Sequence, residues 1–170
     1  MSKVKAAVQL LPQMGEYYQL CKPKVVYLIL FTALAGMLLS SPQMVSIDIL
    51  FFGLLGIGLG AASGAAVNHW VDQHIDEIMA RTKNRPLPQG SISSRSALIF
   101  AISLGVLSML VLVSFVNVMT AILTLVSLVG YAVIYTMFLK HSTPHNIVLG
   151  GAAGAAPPVL GWTAVTNELT

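Results

Sequence analysis

Asn68, Asp72 and Asp76 recur every four residues, each offering side-chain oxygen, and Arg81, Lys83 and Arg85 follow within ten residues. On a helix of 3.6 residues per turn the three oxygen-bearing positions fall within about 80° of arc and converge on one spot. Such a set suits a hard divalent cation, and two carboxylates on one face repel each other until a cation is bound. Magnesium fits best, because it takes one or two carboxylates, keeps several waters and shares phosphate oxygens. Arg81, Lys83 and Arg85 supply the complementary half, with point charge from lysine and forked donors from arginine. The chemistry implied is a magnesium diphosphate site, with the aspartates as ligands rather than acid/base groups. A solvated loop is the plain alternative. Position argues against it: Asp72 and Asp76 begin within about two turns of the end of a long apolar run, where ionisable groups are costly unless they pair or bind something.

The elements that position these residues are expected to lie in a membrane. Hydrophobic residues make up 56% of the 170, charged residues only 9%, and the mean hydropathy is +0.81. A water-soluble domain has a different balance. Apolar runs at 25–40, 47–71, 97–116, 118–139 and 147–165 give about five spans of roughly 20 residues, the last broken by Pro157 and Pro158. The fold class expected is all-α, an integral membrane helical bundle. Residues 1–24 form an amino-terminal segment, 25–165 the membrane domain with a charged connection at 72–96, and 166–170 a tail. The start has neither the hydrophobic stretch and cleavage site of a signal peptide nor the arginine content of a transit peptide. Cys21 is the single cysteine, which excludes an internal disulfide framework.

With five alternating spans, all nine lysines and arginines fall on one side, and the positive-inside rule makes that side cytoplasmic. A pI of 9.2 is thereby explained without nucleic acid, which would call for aromatic interleaving and far more cations. Within the second run, Gly60 and Gly64 have the small-xxx-small spacing that lets another helix approach. Gly64 also sits one turn before Asn68, where a missing side chain leaves room for a head group. Pro86, Pro88 and Gly90 are expected to end the motif helix and shape a turn, and Ser91, Ser93 or Ser94 to cap the next span.

Asn68-x-x-x-Asp72-x-x-x-Asp76 followed by Arg81-Thr82-x-x-Arg85-Pro86-Leu87-Pro88-x-Gly90 is similar to the first aspartate-rich motif of the UbiA-type intramembrane prenyltransferases. Lys22-Pro23-Lys24, Tyr135-Thr136-x-x-Leu139-Lys140 and the stretch 146–162, from Asn-Ile-Val-Leu-Gly-Gly to Leu-Gly-Trp, resemble the haem-specific branch of that family. The resemblance implies transfer of a farnesyl group from farnesyl diphosphate to a vinyl group of haem B, giving haem O, at the bacterial inner membrane among its lipids. Asn68, Asp72 and Asp76 would hold magnesium and diphosphate. Arg81, Lys83 and Arg85 would bind phosphate oxygens, and Tyr135 with Lys140 would approach the same head group. No strong base is required at the start, since loss of diphosphate leaves a cation that the electron-rich vinyl group attacks.

Haem contacts would fall to His69, His141 or His145. His69 lies near the metal face of its helix, His74 points away from it, and the other two lie beside Lys140. A quinone precursor or another aromatic ring is the alternative acceptor, and a membrane interaction or transport protein the non-enzyme alternative. Members of the family have about nine spans, each needing roughly 20 residues, and a second aspartate-rich motif. The acids outside the first motif are Glu16, Asp48, Glu77 and Glu168, which do not form one. The expectation is an amino-terminal part of the fold with little transferase activity by itself.

Overall fold

The computed structural model describes residues 14–130 and 154–169, and among these there are helices and turns but no strand. α1 (Met14–Leu20) and α2 (Pro23–Leu39) form a pair bent by 54°. The elbow is built from Lys22, which takes the left-handed φ of 49°, and Pro23, which opens α2 where a missing N–H costs nothing. α3 (Ile47–Ile78), α4 (Ser94–Phe115), α5 (Val118–Val129) and α6 (Ala156–Thr166) follow. α3 and α4 are each long and apolar enough to cross a membrane, and the bent α1–α2 pair qualifies if counted as one span.

α3 has 32 residues, about 48 Å of helix against a hydrocarbon layer of about 30 Å, so one end must project beyond that layer. Residues 47–66 are apolar or small apart from Asp48 at the start, and the polar residues gather in the last third. The projecting end is therefore the one that carries the motif. α4 lies along α3, fastened by two buried hydroxyls that donate across the interface: Ser63 Oγ to the Ala101 carbonyl and Ser108 Oγ to the Gly56 carbonyl, both at 2.7 Å. Polar bonds of this kind, with small residues between them, are how helices associate where lipid removes the hydrophobic drive.

α2 and α6 cross backbone against backbone. A Cβ on Gly36 would run into the Pro158 carbonyl, and one on Gly161 into the Ala33 carbonyl. Around this crossing Ala33, Met37, Ile57, Leu112, Ala121, Leu160 and Ala164 form one buried cluster. A second cluster, Leu20, Ala66, Leu87, Ile92, Ala97 and Ala101, lies under the motif connection. Outward residues are apolar as well: Phe31 is 70% exposed, Val126 61% and Leu110 59%. That is the surface of a bundle which meets lipid or further helices rather than water.

Two sequence expectations shift. The motif helix ends at Ile78, eight residues before Pro86, so the prolines shape the connection but do not stop the helix. Pro157 and Pro158 occupy the first turn of α6, where amides have no intrahelical acceptor, and they open that helix instead of breaking one. Of the expected fourth span the described part is the 12-residue α5, and 131–153 lie outside the described residues. Other expectations match. Ser93 caps α4, accepting from Ser96 N at 3.1 Å. Asn117 divides α4 from α5, accepting from Thr120 N at 2.8 Å while donating to the Thr163 carbonyl of α6 at 2.9 Å.

Candidate active site

The last three turns of α3 present Asn68, Asp72 and Asp76, exposed by only 5%, 3% and 3%. Asn68 Nδ2 donates to Asp72 Oδ2 at 3.0 Å, the four-residue spacing bringing the two side chains together. Lys22 Nζ donates to Asn68 Oδ1 from the α1–α2 elbow, 46 residues away in sequence. Asp76 is held from the other side, by Arg85 Nη1 at 2.6 Å from its Oδ2. Two buried carboxylates are thus set among two cations, one from each flanking element.

Arg85 reaches Asp76 because the chain reverses directly after α3. Met79 turns extended, and Thr82 Oγ1 donates to the Asp76 carbonyl at 3.1 Å, closing the end of the helix with a side chain. Lys83 N and Arg85 N then donate to the carbonyls of Met79 and Thr82, both at 3.0 Å. Gly90 supplies a φ of 71°, and Leu87 and Ile92 are buried beneath the connection. Trp70 Nε1 donates to Ser94 Oγ at 2.9 Å and ties the far end of the connection back to α3.

Of the three cations expected from the motif connection, Arg85 faces Asp76, whereas Arg81 and Lys83 are exposed. His74 is exposed, on the opposite side from the stripe. His69 is 4% exposed, and neither ring nitrogen has a hydrogen-bond partner among the described residues. It lies within range of the charges of Lys22, Arg85, Asp76 and Asp72. Tyr135, Lys140, His141 and His145 lie outside the described residues. Lys22 is the site residue that the sequence reading named only within Lys22-Pro23-Lys24 and among the cations, not at the site. Its one local signal is the Lys22-Pro23 junction, which marks an elbow but not what the side chain reaches.

Among the described residues no three or more His, Cys, Asp and Glu side chains gather as a metal cluster. The donor set is instead two carboxylates and an amide carbonyl, all oxygen and all buried on one stripe. That chemistry fits magnesium, which needs few protein oxygens when phosphate supplies others.

Beside Lys22 and Gly64, one turn of α3 before Asn68, opens a cavity of about 430 Å³. Lys22 stands at its polar end. Its walls are Val25, Leu28, Ile29 and Thr32 of α2, the stripe Ile57, Gly60, Ala61, Gly64 and Ala65 of α3, Thr124, Ser127 and Leu128 of α5, and Gly154, Ala156, Pro157 and Leu160 around α6. Pockets of roughly 300–1,000 Å³ with apolar walls and a few polar groups hold small organic ligands. Gly60 serves packing, as expected, since a Cβ there would come within 2.8 Å of Thr124 Cγ2; Gly64 lines the cavity one turn from Asn68.

The site is thus a buried oxygen-bearing stripe flanked by two cations, beside a cavity with mainly apolar walls, in a helical bundle. Residues 29–170 match the model of the UbiA prenyltransferase family, and the chain belongs to that family, a multi-pass membrane protein. The protein named protoheme IX farnesyltransferase of Thioalkalivibrio sulfidiphilus is 64% identical over 154 residues, which cover 91% of this chain and 51% of that one. The protein of the same name from Nitrosococcus oceani is 59% identical, over 91% and 52%. The chain thus spans about half the length of the curated relatives it matches. A UbiA homologue from Archaeoglobus fulgidus, solved with GPP and Mg2+, superposes with a TM-score of 0.76 at 18% identity, over 91% of this chain and 56% of that one. Its complex with DMAPP and Mg2+ gives 0.72 at 19%, with the same coverage. At such identity the likeness is one of fold.

Proposed function

We propose that this chain carries the diphosphate-binding part of an enzyme that transfers a farnesyl group from farnesyl diphosphate to a vinyl group of haem B, forming haem O. The observation that carries the reading is the buried Asn68–Asp72–Asp76 stripe, flanked by Arg85 and by Lys22, which also lines an apolar cavity. The naming of relatives 64% and 59% identical supports the choice of acceptor. Asp72, Asp76 and Asn68 would hold magnesium, which when bound neutralises charge on the departing diphosphate.

The chain's own residues do the rest. Lys22 and Arg85 donate N–H bonds to phosphate oxygens that gain charge as the allylic C–O bond breaks, so the stabilisation grows toward the transition state. Arg81 and Lys83 on the connection, with Tyr135 and Lys140, add donors to the same head group. The walls of α2, α3, α5 and α6 hold the prenyl tail and keep water from the allylic carbon until the vinyl carbon attacks it; the cation left on the other vinyl carbon then takes up water and loses a proton, which gives the hydroxyl group of haem O as diphosphate departs. His69, His141 and His145 are the haem contacts, and the inner membrane, with the site on its cytoplasmic face, is the location.

The test is equilibrium binding of farnesyl diphosphate to the full chain with and without magnesium, for the native protein and for Asp72→Asn and Asp76→Asn. Each variant is expected to weaken magnesium-dependent binding about tenfold or more, the value of one lost charge-assisted contact of roughly 1.5–3 kcal/mol. Binding indifferent to both magnesium and the substitutions would reduce the motif to a membrane anchor. Product analysis with haem B beside a quinone precursor decides the acceptor.

A further inference from the structure

The α3 wall of the cavity is a run of small side chains with an abrupt end. Gly64 and Ala65 line it on one turn, Gly60 and Ala61 on the next, and Ile57 closes the stripe one turn deeper. Ile57 is 1% exposed and belongs to the packed cluster around the α2–α6 crossing. Leu160 of α6 is the other member of that buried cluster that also lines the cavity. These two residues are therefore its floor among the described residues, with cavity on one side and close-packed core on the other.

Asn68 lies eleven residues beyond Ile57, about 16 Å along a helix rising 1.5 Å per residue. A hydrocarbon chain whose head is held at the stripe runs down a wall of glycine and alanine, where nothing projects to stop it. At Ile57 the branched side chain fills the path, and the packed cluster behind it cannot move aside without strain. We infer that Ile57, backed by Leu160, sets the longest prenyl chain that this site accommodates in full. The inference rests on reading the stripe as a prenyl diphosphate site, and it assigns chain-length selection to a named residue of the slot. A longer tail must leave its end outside the slot or displace Ile57, and either loses apolar burial.

The experiment is competition binding of geranyl, farnesyl and geranylgeranyl diphosphates to the full chain in detergent with magnesium. It compares the native protein with Ile57→Ala, which lowers the floor, and Ala61→Leu, which raises it. Ile57→Ala should shift the affinity ratio about tenfold toward geranylgeranyl diphosphate, and Ala61→Leu about tenfold toward geranyl, at the lower end of what one or a few methylene groups discriminate in a pocket. If the native chain binds none of the three, the diphosphate reading fails and the inference with it. If it binds them and both variants keep the native ranking, the site stands and the role of Ile57 is overturned. Should Ile57→Ala not fold, Ala61→Leu decides alone, a native ranking counting against the inference.

Discussion

Arg85→Ala tests the construction of the site without any substrate. The guanidinium stands 2.6 Å from an Asp76 carboxylate, the two side chains being 28% and 5% exposed. Removing the cation leaves a charge where water barely reaches, and breaking such a buried pair costs about 3–5 kcal/mol. Arg85 is itself partly open to water, which places the cost near the lower limit, about 3 kcal/mol. For a chain of this size that corresponds to a melting temperature lower by roughly 6–12 °C. Thermal unfolding in detergent, followed by tryptophan fluorescence without divalent cations, measures it.

Asp76→Asn and the double variant complete the cycle. Asparagine needs no counter-charge, so the double variant should be less destabilised than the sum of the two single changes, with a coupling of about 2 kcal/mol. Magnesium at about a hundred times its dissociation constant should restore roughly 2.7 kcal/mol to a protein that keeps Asp72 and Asp76. Additive single and double variants, or an Arg85→Ala shift below about 2 °C, would refute the coupling of Arg85 to the buried Asp76 carboxylate.

Two further substitutions, one with a control, probe separate links. Gly161→Ala places a methyl group against the Ala33 carbonyl, a backbone atom that cannot rotate away, so unfolding should come earlier by about 1–3 kcal/mol. Gly15→Ala, which meets nothing within 4 Å among the described residues, is the control and should stay within about 0.5 kcal/mol in the same melt. Lys22→Met keeps the aliphatic stem but removes the donor to Asn68. Calorimetric titration should show farnesyl diphosphate bound about tenfold more weakly, the equivalent of losing one charged hydrogen bond. Unchanged affinity would leave Lys22 a structural tie of the elbow.

Much of the site was legible because its central part is local. The spacing of Asn68, Asp72 and Asp76 converges on one helical face whatever the rest of the chain does, and the structure buries all three on it. Asn117 and Ser93 were readable as helix boundaries for the same reason, since a side-chain oxygen three residues before an unpaired amide caps it in place. Reading the connection was harder. Arg81, Lys83 and Arg85 are alike on paper, yet only a path that reverses at Met79, fixed by Thr82 on the Asp76 carbonyl, turns Arg85 inward and leaves the other two outside.

Composition and the four-residue spacing alone determined that this is a membrane helical protein with an oxygen-lined stripe where a span ends, because hydropathy and helical periodicity act over a few neighbouring residues. Tertiary structure alone decided that Lys22 meets Asn68 across 46 residues, that Ile57 and Leu160 share a floor, and how α2 meets α6. Those contacts depend on how closely helices can cross. At Gly36 and Gly161 that closeness is set by backbone meeting backbone, a fit between distant segments that no local pattern encodes.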